Sequence, residues 1–178
     1  MTYQEDFIGG AEEQALLSLI ADLPLQEASY KQYTAKRRIA SYGATYDFSH
    51  NRLLPGPSIP AGLLPLREKV AAWRGLPAEE FRHALVTEYR TGSALGWHRD
   101  TPEFGVVVGV SLASPTRIRF RPYPPATGRD PRAFALELAP RSAYVFERDI
   151  RWKWQHSIPA TKALRYSITF RTMVRTPG

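Results

Sequence analysis

The spacing of hydrophobic residues along the chain changes near residue 83. Before that point, apolar positions recur at helical spacing in two segments, residues 9–24 and 61–76. The first segment has acidic residues near its start and Pro24 after its apolar stripe, as helix termini often do. The stripes of the two segments consist of Leu16, Leu17, Leu19 and Ile20, and of Leu66, Val70 and Trp73. These patterns predict two amphipathic helices.

The residues between the two predicted helices have a different pattern. A short strand-like piece has Tyr42 and Tyr46 at even spacing. It leads into residues 54–60, which are rich in proline and glycine and therefore predict a loop.

From residue 83 onwards the chain consists of short β-branched or aromatic segments separated by Gly, Pro, Asp or Ser, which predict strands. These segments are residues 83–90, 105–113, 116–123, 134–140, 142–147, 152–158 and 165–174. The absence of a helical pattern between them argues against βαβ units. We therefore expect an α+β, mainly β fold, a jelly roll with helices packed on one side. It should form one domain, with a helical, substrate-side segment over about 1–82 and the jelly-roll core over about 83–175.

Composition narrows the classes of function. The 178 residues, 43% of them hydrophobic, suit one domain. Lys and Arg number 24 against 17 Asp and Glu, and this net charge of +7 favours polyanionic partners such as nucleic acid. The lack of cysteine excludes disulfides and thiolate metal sites, so a metal would need His and carboxylate ligands. With no apolar run of membrane-spanning length and no signal-like start, we expect a cytoplasmic protein.

The segment "GWHRD" places His98 and Asp100 two positions apart. Alternate residues of a strand share a face, so an imidazole and a carboxylate can lie side by side here. A third ligand must come from elsewhere, and His156, at the end of its own strand-like segment, has a better context than His50 or His83. Two histidines and one carboxylate form the metal site of non-haem Fe(II) oxygenases. Taken singly, each of these residues is more often a surface histidine or a strand-end aspartate. "HRD" also occurs in kinase catalytic loops, but this chain lacks D-F-G and a Gly-rich phosphate loop.

The last predicted strand, "RYSITFR", separates polar from apolar side chains. Arg165, Ser167, Thr169 and Arg171 share one face, and the residues between them form an apolar face for the core. A buried arginine needs an anionic partner. A dicarboxylic acid bound through two parallel hydrogen bonds is one such partner, and a structural ion pair is the alternative.

Together, "YRTGSALGWHRD", the later His156 and "RYSITFR" resemble the AlkB family of Fe(II)- and 2-oxoglutarate-dependent dioxygenases. The family pattern is roughly N-x-Y-x-x-G-x-x-L-x-x-H-x-D, then H, then R-x-N-x-T-x-R, and the match covers about residues 85–172. The resemblance implies a double-stranded β-helix core. It also implies Fe(II) held by His98, Asp100 and His156, with 2-oxoglutarate and O2 as cosubstrates.

The resemblance further implies how the cosubstrate is held. Arg171 is expected to pair with the far carboxylate of 2-oxoglutarate, and Arg165 to lie near its metal-side carboxylate and the Asp100 ligand. Tyr89 matches a tyrosine that hydrogen-bonds the cosubstrate. Thr87 and Ser167 stand where the family has asparagine, so their contacts should be shortened or rearranged.

The implied substrate is an alkylated nucleobase in DNA or RNA, dealkylated by oxidation. Such a base must be unpaired or flipped to be reached. Candidate base-contacting residues are Trp97, Tyr42, Tyr46, Trp152 and Trp154, together with Glu103, which lies beside Pro102 where some relatives have an acidic base reader. Arg117, Arg119 and Arg121 alternate with apolar residues and form either a phosphate-binding row or a solvated edge.

Two other functions remain open. The same iron chemistry could hydroxylate or demethylate a protein side chain or a small metabolite. The chain could also be a nucleic-acid-binding domain that has lost catalysis, although such a domain has no need to keep three metal ligands and both arginines. The sequence does not indicate an obligate protein partner or the oligomeric state.

Overall fold

The computed structural model describes residues 1–30, 33–47, 52–128 and 130–174, the side chains of 28–30, 33–35, 45–47 and 52–53 excepted. The helices are α1 (Gly10–Ala21), α2 (Leu64–Arg74) and α3 (Arg148–Trp152). The first seven strands are β1 (Thr2–Gln4), β2 (Gln26–Tyr30), β3 (Tyr33–Tyr42), β4 (Ala44–Asp47), β5 (Arg52–Pro55), β6 (Phe81–Tyr89) and β7 (Leu95–His98). The remaining strands are β8 (Phe104–Leu112), β9 (Thr116–Pro122), β10 (Phe134–Leu138), β11 (Ala143–Phe146), β12 (Trp154–Ile158) and β13 (Arg165–Met173).

The strands form two facing sheets and a small hairpin. The major sheet has the order β1-β11-β8-β13-β6-β3-β2, the minor sheet the order β10-β9-β12-β7, and β4 pairs with β5. The pairings in these three sheets are antiparallel. The mainly β, jelly-roll prediction is therefore confirmed.

Both predicted helices form and cover one side of the major sheet. Glu12 accepts a hydrogen bond from the backbone N–H of Gly9 at the start of α1. The helix α2 ends where Gly75 adopts a left-handed backbone with φ 64°, which a glycine reaches without steric cost. Among the described residues, no helix has the length and apolarity needed to cross a bilayer.

The sheet extends further toward the N-terminus than the pattern predicted. β1, β2 and β3 all join the major sheet, so the expected boundary near residue 83 does not separate the jelly roll from the rest of the chain. The polar sequence of β2, Gln-Glu-Ala-Ser-Tyr, lacks the β-branched residues by which strands are recognised. The helix α3 was also missed, because one short turn carries no periodicity.

Two hydrophobic clusters lie on opposite faces of the major sheet. One packs the sheet against α1 and α2, and includes Ile168 and Phe170 of β13. The other lies between the two sheets and includes Phe120, Tyr144 and Phe146. The polar row of β13 points toward this second space, so the charged side chains are enclosed and not solvated.

Candidate active site

His98 and His156 lie directly opposite each other on paired strands of the minor sheet. Their ring centroids are 4.2 Å apart and the rings are tilted by 59°. The alternation of β7 turns His98 toward the major sheet, and the register with β12 brings His156 to the same place. The structure thus brings together the two histidines that the sequence singled out.

Both imidazoles are electrically neutral near pH 7. Burial lowers the pKa of His156 to about 3 and also lowers the pKa of His98. Nδ1 of His98 lies 2.9 Å from the carbonyl oxygen of Gly96 and, facing an acceptor, must carry the proton. Its Nε2 therefore keeps a free electron pair, which is the state in which histidine binds a metal.

Asp100 follows the end of β7 and lies beside these rings. Both Nε and Nη2 of Arg171 donate to its Oδ1, at 3.1 and 2.9 Å. Burial raises the pKa of Asp100, but the positive charge of Arg171 lowers it by more, so the net pKa lies below the ordinary value. The carboxylate is ionised, and its Oδ2 forms no hydrogen bond with a described residue.

The donor set fits a ferrous ion in the type of its ligands. Two neutral imidazoles and one ionised carboxylate match the two-histidine, one-carboxylate site of non-haem iron enzymes. In the part of the chain that the structure describes, however, no three His, Asp or Glu side chains have their donor atoms gathered for one metal ion. Asp100 is turned toward Arg171, and its role as a ligand remains a prediction.

A buried arginine fixes the loop that carries Asp100. Arg151 of α3 is 3% exposed and donates to the backbone carbonyl oxygens of Thr101, Phe104 at 2.6 Å, Gly105 at 3.1 Å and Asp100 at 3.3 Å. Hydrogen bonds from a charged donor are among the stronger ones. The sequence offered no signal for this role, since α3 itself was not predicted.

Arg165 is fully buried and only partly paired. Its Nε donates to Oγ of Ser111 at 3.1 Å, and its guanidinium carbon lies 5.0 Å from the centre of the Tyr89 ring. Nη1 and Nη2 are buried and have no hydrogen-bond partner among the described residues. An enclosed guanidinium with two unpaired NH2 groups is costly unless an anion binds there.

The predicted roles of the two arginines were wrong on one point. Arg171, and not Arg165, contacts Asp100. The strand order explains this placement: β8 is antiparallel to β13, with Phe104 opposite Met173, so the loop before β8 lies near the C-terminal end of β13. Arg171 is at that end, whereas Arg165 is at the other.

Arg171 has a second partner that sequence reasoning undervalued. Nη1 of Arg171 lies 3.2 Å from Nδ1 of His83, and Nε2 of His83 lies 3.0 Å from Oγ of Ser41, which donates to the carbonyl oxygen of Ala44 at 2.7 Å. Arginine can only donate, so Nδ1 accepts and Nε2 carries the proton. Burial lowers the pKa of His83 to about 3, which keeps the ring neutral. The register of Arg171 opposite His83 is the signal that could have revealed this contact.

Tyr144 is a further buried polar residue between the two arginines. It is 6% exposed, and its ring lies over Gly109, where an added Cβ would come within 2.2 Å of the ring. Only glycine fits there. Burial is the main cause that raises the pKa of Tyr144, and the charges of Arg165 and Arg171 act on the same hydroxyl. The protonated hydroxyl can therefore donate a hydrogen bond in this space.

The other predicted cosubstrate contacts lie on the same inner face of the major sheet. Tyr89 is opposite Arg165, and Ser167 is opposite both Thr87 and Ser111. All four of these partners are buried. They lie near Arg165 at the N-terminal end of β13, and their contacts to a cosubstrate remain predictions.

The predicted base-contacting aromatic residues are mostly elsewhere. Tyr42 packs in the cluster on the helix side of the major sheet, so its predicted role was wrong. Trp97 points to the opposite face of β7 from His98 and lies beneath Arg121, 4.4 Å from the guanidinium carbon to the ring centre, so it does not line the histidine side. Trp152 belongs to α3, so it does not share the strand parity of His156, but it lines a surface cleft together with Asp100. The side chain of Tyr46 lies outside the described residues, as does His50.

Trp154 and Glu103 lie closer to the site. Trp154 packs edge-on against Phe134, with ring centroids 5.5 Å apart, at the border of the cluster between the sheets. Glu103 is in the loop after Asp100, and its Oε2 is buried without a hydrogen-bond partner among the described residues. Their roles toward a base remain predictions.

The predicted basic row on β9 is engaged with neighbouring side chains. Arg117 pairs with Glu137 at 3.4 Å, Arg119 donates to Ser157 at 3.1 Å, and Arg121 donates to Gln155 at 2.8 Å. The row is therefore part of the outer surface of the minor sheet and lies on the opposite face from the histidine pair.

Comparison with known proteins identifies relatives over most of the chain. Residues 18–171 match the model of the 2OG-Fe(II) oxygenase superfamily. The alkylated DNA repair protein ALKBH8 homolog of Arabidopsis thaliana is 27% identical over 180 residues, covering 88% of this chain and 50% of that protein. The chain spans about half the length of the first curated relatives it matches.

Two solved structures share the fold at low identity. OsALKBH1 has a TM-score of 0.72 and 15% identity, with 96% of this chain and 97% of that chain covered. A prolyl-4-hydroxylase from Pseudomonas putida has a TM-score of 0.66 and 14% identity, with 98% and 92% covered. The same fold therefore occurs in OsALKBH1 and in a prolyl-4-hydroxylase.

Proposed function

This chain belongs to the 2OG-Fe(II) oxygenase superfamily, with AlkB-type relatives, and from that premise we propose that it oxidatively dealkylates alkylated nucleobases in DNA or RNA. The family uses Fe(II), 2-oxoglutarate and O2, so the predicted cofactor and cosubstrates are confirmed. When bound, they supply the oxidant that hydroxylates a C–H bond, and a hydroxylated N-methyl group leaves as formaldehyde.

In this proposal His98, Asp100 and His156 hold the iron. Burial keeps both imidazoles unprotonated, and the bond from His98 to Gly96 fixes which ring nitrogen is free. Arg171 holds Asp100 by one oxygen, which leaves the other oxygen for a metal. Arg151 keeps the Asp100 loop against the β8 strand.

The observation that carries the proposal is the buried, unpaired guanidinium of Arg165. The two free NH2 groups of the guanidinium form a fork that matches a carboxylate, and no described side chain satisfies them. We assign Arg165 to the far carboxylate of 2-oxoglutarate. The hydroxyl groups of Tyr89, Tyr144 and Ser111 lie around it and can orient the same ligand.

The choice of nucleic acid as substrate is supported by charge and by the relatives. The net charge of +7 favours a polyanion, and the Arabidopsis relative is named for the repair of alkylated DNA. A base within a duplex is out of reach, so the substrate must be single-stranded or flipped.

The proposal is tested by incubating the purified chain with Fe(II), 2-oxoglutarate, ascorbate and a panel of methylated oligonucleotides. We expect succinate, formaldehyde and loss of the methyl group by mass spectrometry, and none of these with His156→Ala. If succinate forms with a peptide or metabolite pool and no oligonucleotide changes, the substrate is a protein side chain or a small metabolite and not a nucleic acid. No binding of metal or 2-oxoglutarate would contradict the catalytic proposal itself.

A further inference from the structure

A cleft lies next to the loop that follows β7 and carries Asp100. Its volume is about 380 Å³, within the range of small-molecule sites. Arg99, Tyr123, Trp152 and Gln155 line it together with Asp100. We call this space the Tyr123–Trp152 cleft. It adjoins the loop that carries a predicted iron ligand, and Gln155 faces the opposite side of the minor sheet from His156, so the cleft lies next to the site and does not open into it.

The walls of the Tyr123–Trp152 cleft are tied to one another. The backbone N–H of Tyr123 donates to the carbonyl oxygen of Lys153 at 2.8 Å. Nη1 of Arg99 donates to the carbonyl oxygen of Trp152 at 3.1 Å, and its guanidinium carbon lies 3.9 Å from the centre of the Tyr123 ring. Three separate segments thus form one rim, and a ligand bound there would pay little for ordering it.

The two aromatic walls face solvent. Tyr123 is 44% exposed and Trp152 is 42% exposed, although both are large rings. Arg151 lies against Trp152, with 4.3 Å from the guanidinium carbon to the ring centre. Arg151 is buried and fixes the position of the Trp152 ring, whereas Arg99 lines the cleft. Two exposed rings beside one arginine match unpaired nucleic acid, in which bases stack on aromatic faces and phosphates pair with arginine. In a chain of net charge +7 this chemistry favours a nucleotide strand over an apolar ligand.

We propose that the Tyr123–Trp152 cleft binds the unpaired nucleic acid strand next to the target base. Bases stack on Tyr123 and Trp152, and Arg99 binds a neighbouring phosphate. The inference rests on the proposed function and extends it by naming a surface that receives the substrate strand. Neither Tyr123 nor Arg99 was among the residues that the sequence pattern singled out for substrate contact.

The test measures binding of a fluorescein-labelled single-stranded oligonucleotide to the full chain by anisotropy, with Mn(II) and 2-oxoglutarate present so that no turnover occurs. Tyr123→Ala and Trp152→Ala should each weaken binding about tenfold or more, as loss of a base–aromatic stack does. Phe134→Ala is the matched control, because Phe134 is 41% exposed and does not line the cleft. The affinity of each variant for 2-oxoglutarate should remain that of the wild type.

A second pair of variants distinguishes binding in the cleft from nonspecific electrostatic attraction between the basic protein and the oligonucleotide. Arg99→Ala and Arg117→Ala each remove one positive charge, but only Arg99 lines the cleft. Arg99→Ala should weaken binding several-fold more than Arg117→Ala and reduce the slope of log affinity against log salt by about one.

The outcomes distinguish this inference from the proposed function. If the wild type demethylates oligonucleotides but the cleft variants bind them as Phe134→Ala does, the proposed role of the cleft is wrong and the proposed function is retained. Equal losses of oligonucleotide affinity for Arg99→Ala and Arg117→Ala would also contradict the proposed role of the cleft. If the wild type neither binds nor demethylates any oligonucleotide, the proposed function fails and the inference fails with it.

Discussion

The two ends of β13 carry the same side chain in opposite circumstances. Arg165 and Arg171 lie on one face of one strand, and both are buried, at 0% and 8% exposure. Arg171 is satisfied: Asp100 accepts two of its hydrogen bonds and His83 a third. Arg165 has one partner, Ser111, and two free nitrogens.

This difference indicates which end of the strand awaits a ligand. A buried charge that is paired holds its surroundings in place, whereas a buried charge without a partner is a cost that an incoming anion removes. The Arg171 end is therefore a support for the metal site, and the Arg165 end is the proposed anion site.

The largest expected effect comes from removing the paired arginine. Arg171→Met leaves the Asp100 carboxylate buried without a partner, so we expect the free energy of unfolding to fall by about 4 kcal/mol. Urea unfolding of the metal-free chain measures this. A loss no greater than that of Arg165→Met would show that the two ends do not differ.

Arg165→Met should have the opposite profile. Truncating one member of a buried charged contact costs about 3 kcal/mol of binding, so the affinity for 2-oxoglutarate should fall about 100-fold or more. Stability without ligand should be unchanged or higher, because an unpaired buried charge is removed. Calorimetric titration of 2-oxoglutarate into the Mn(II)-loaded chain measures the affinity, and thermal unfolding without ligand measures the stability. A destabilised variant with intact 2-oxoglutarate affinity would contradict the assignment.

The pH dependence of stability tests whether His83, the second partner of Arg171, is neutral in the folded chain. Its pKa is about 3 in the folded chain against an ordinary 6.5, so the folded state binds fewer protons and stability falls as pH decreases from about 6.5 to about 3. His83→Gln keeps an acceptor and a donor without the titration. Between those pH values its stability curve should be shallower than the wild-type curve by about 1.4 kcal/mol per pH unit. Parallel curves in urea unfolding at several pH values would contradict a neutral His83.

Ser41→Ala should have the smallest effect. It removes the acceptor of the His83 Nε2 proton, and loss of one buried hydrogen bond costs about 1 kcal/mol of stability. The affinity for 2-oxoglutarate should change less than threefold, since Arg165 is at the other end of the strand. A loss of affinity as large as that of Arg165→Met would show that the two ends are coupled.

Alternation and spacing predicted which residues matter, but only in part what each one contacts. The parity of "RYSITFR" placed both arginines on one face, and the H-x-D motif with a later histidine identified the residues that meet at the minor sheet. Which arginine reaches Asp100 depends on the antiparallel pairing of β8 with β13, which no local pattern encodes. Tyr42 was misassigned because even spacing shows that residues share one face of a strand but not whether that face packs against the helices or against the minor sheet. Arg151 and Tyr123 depend on loops and on a one-turn helix, whose positions are set by tertiary packing.

The most direct test of the account compares 2-oxoglutarate with 2-oxobutyrate, which lacks the far carboxylate, by competitive binding to the Mn(II)-loaded chain. The wild type and Arg171→Lys should both prefer 2-oxoglutarate strongly, whereas Arg165→Met should bind the two acids with nearly equal affinity. If Arg165→Met keeps the wild-type preference, the far carboxylate binds elsewhere and the assignment of Arg165 as the anion site is wrong.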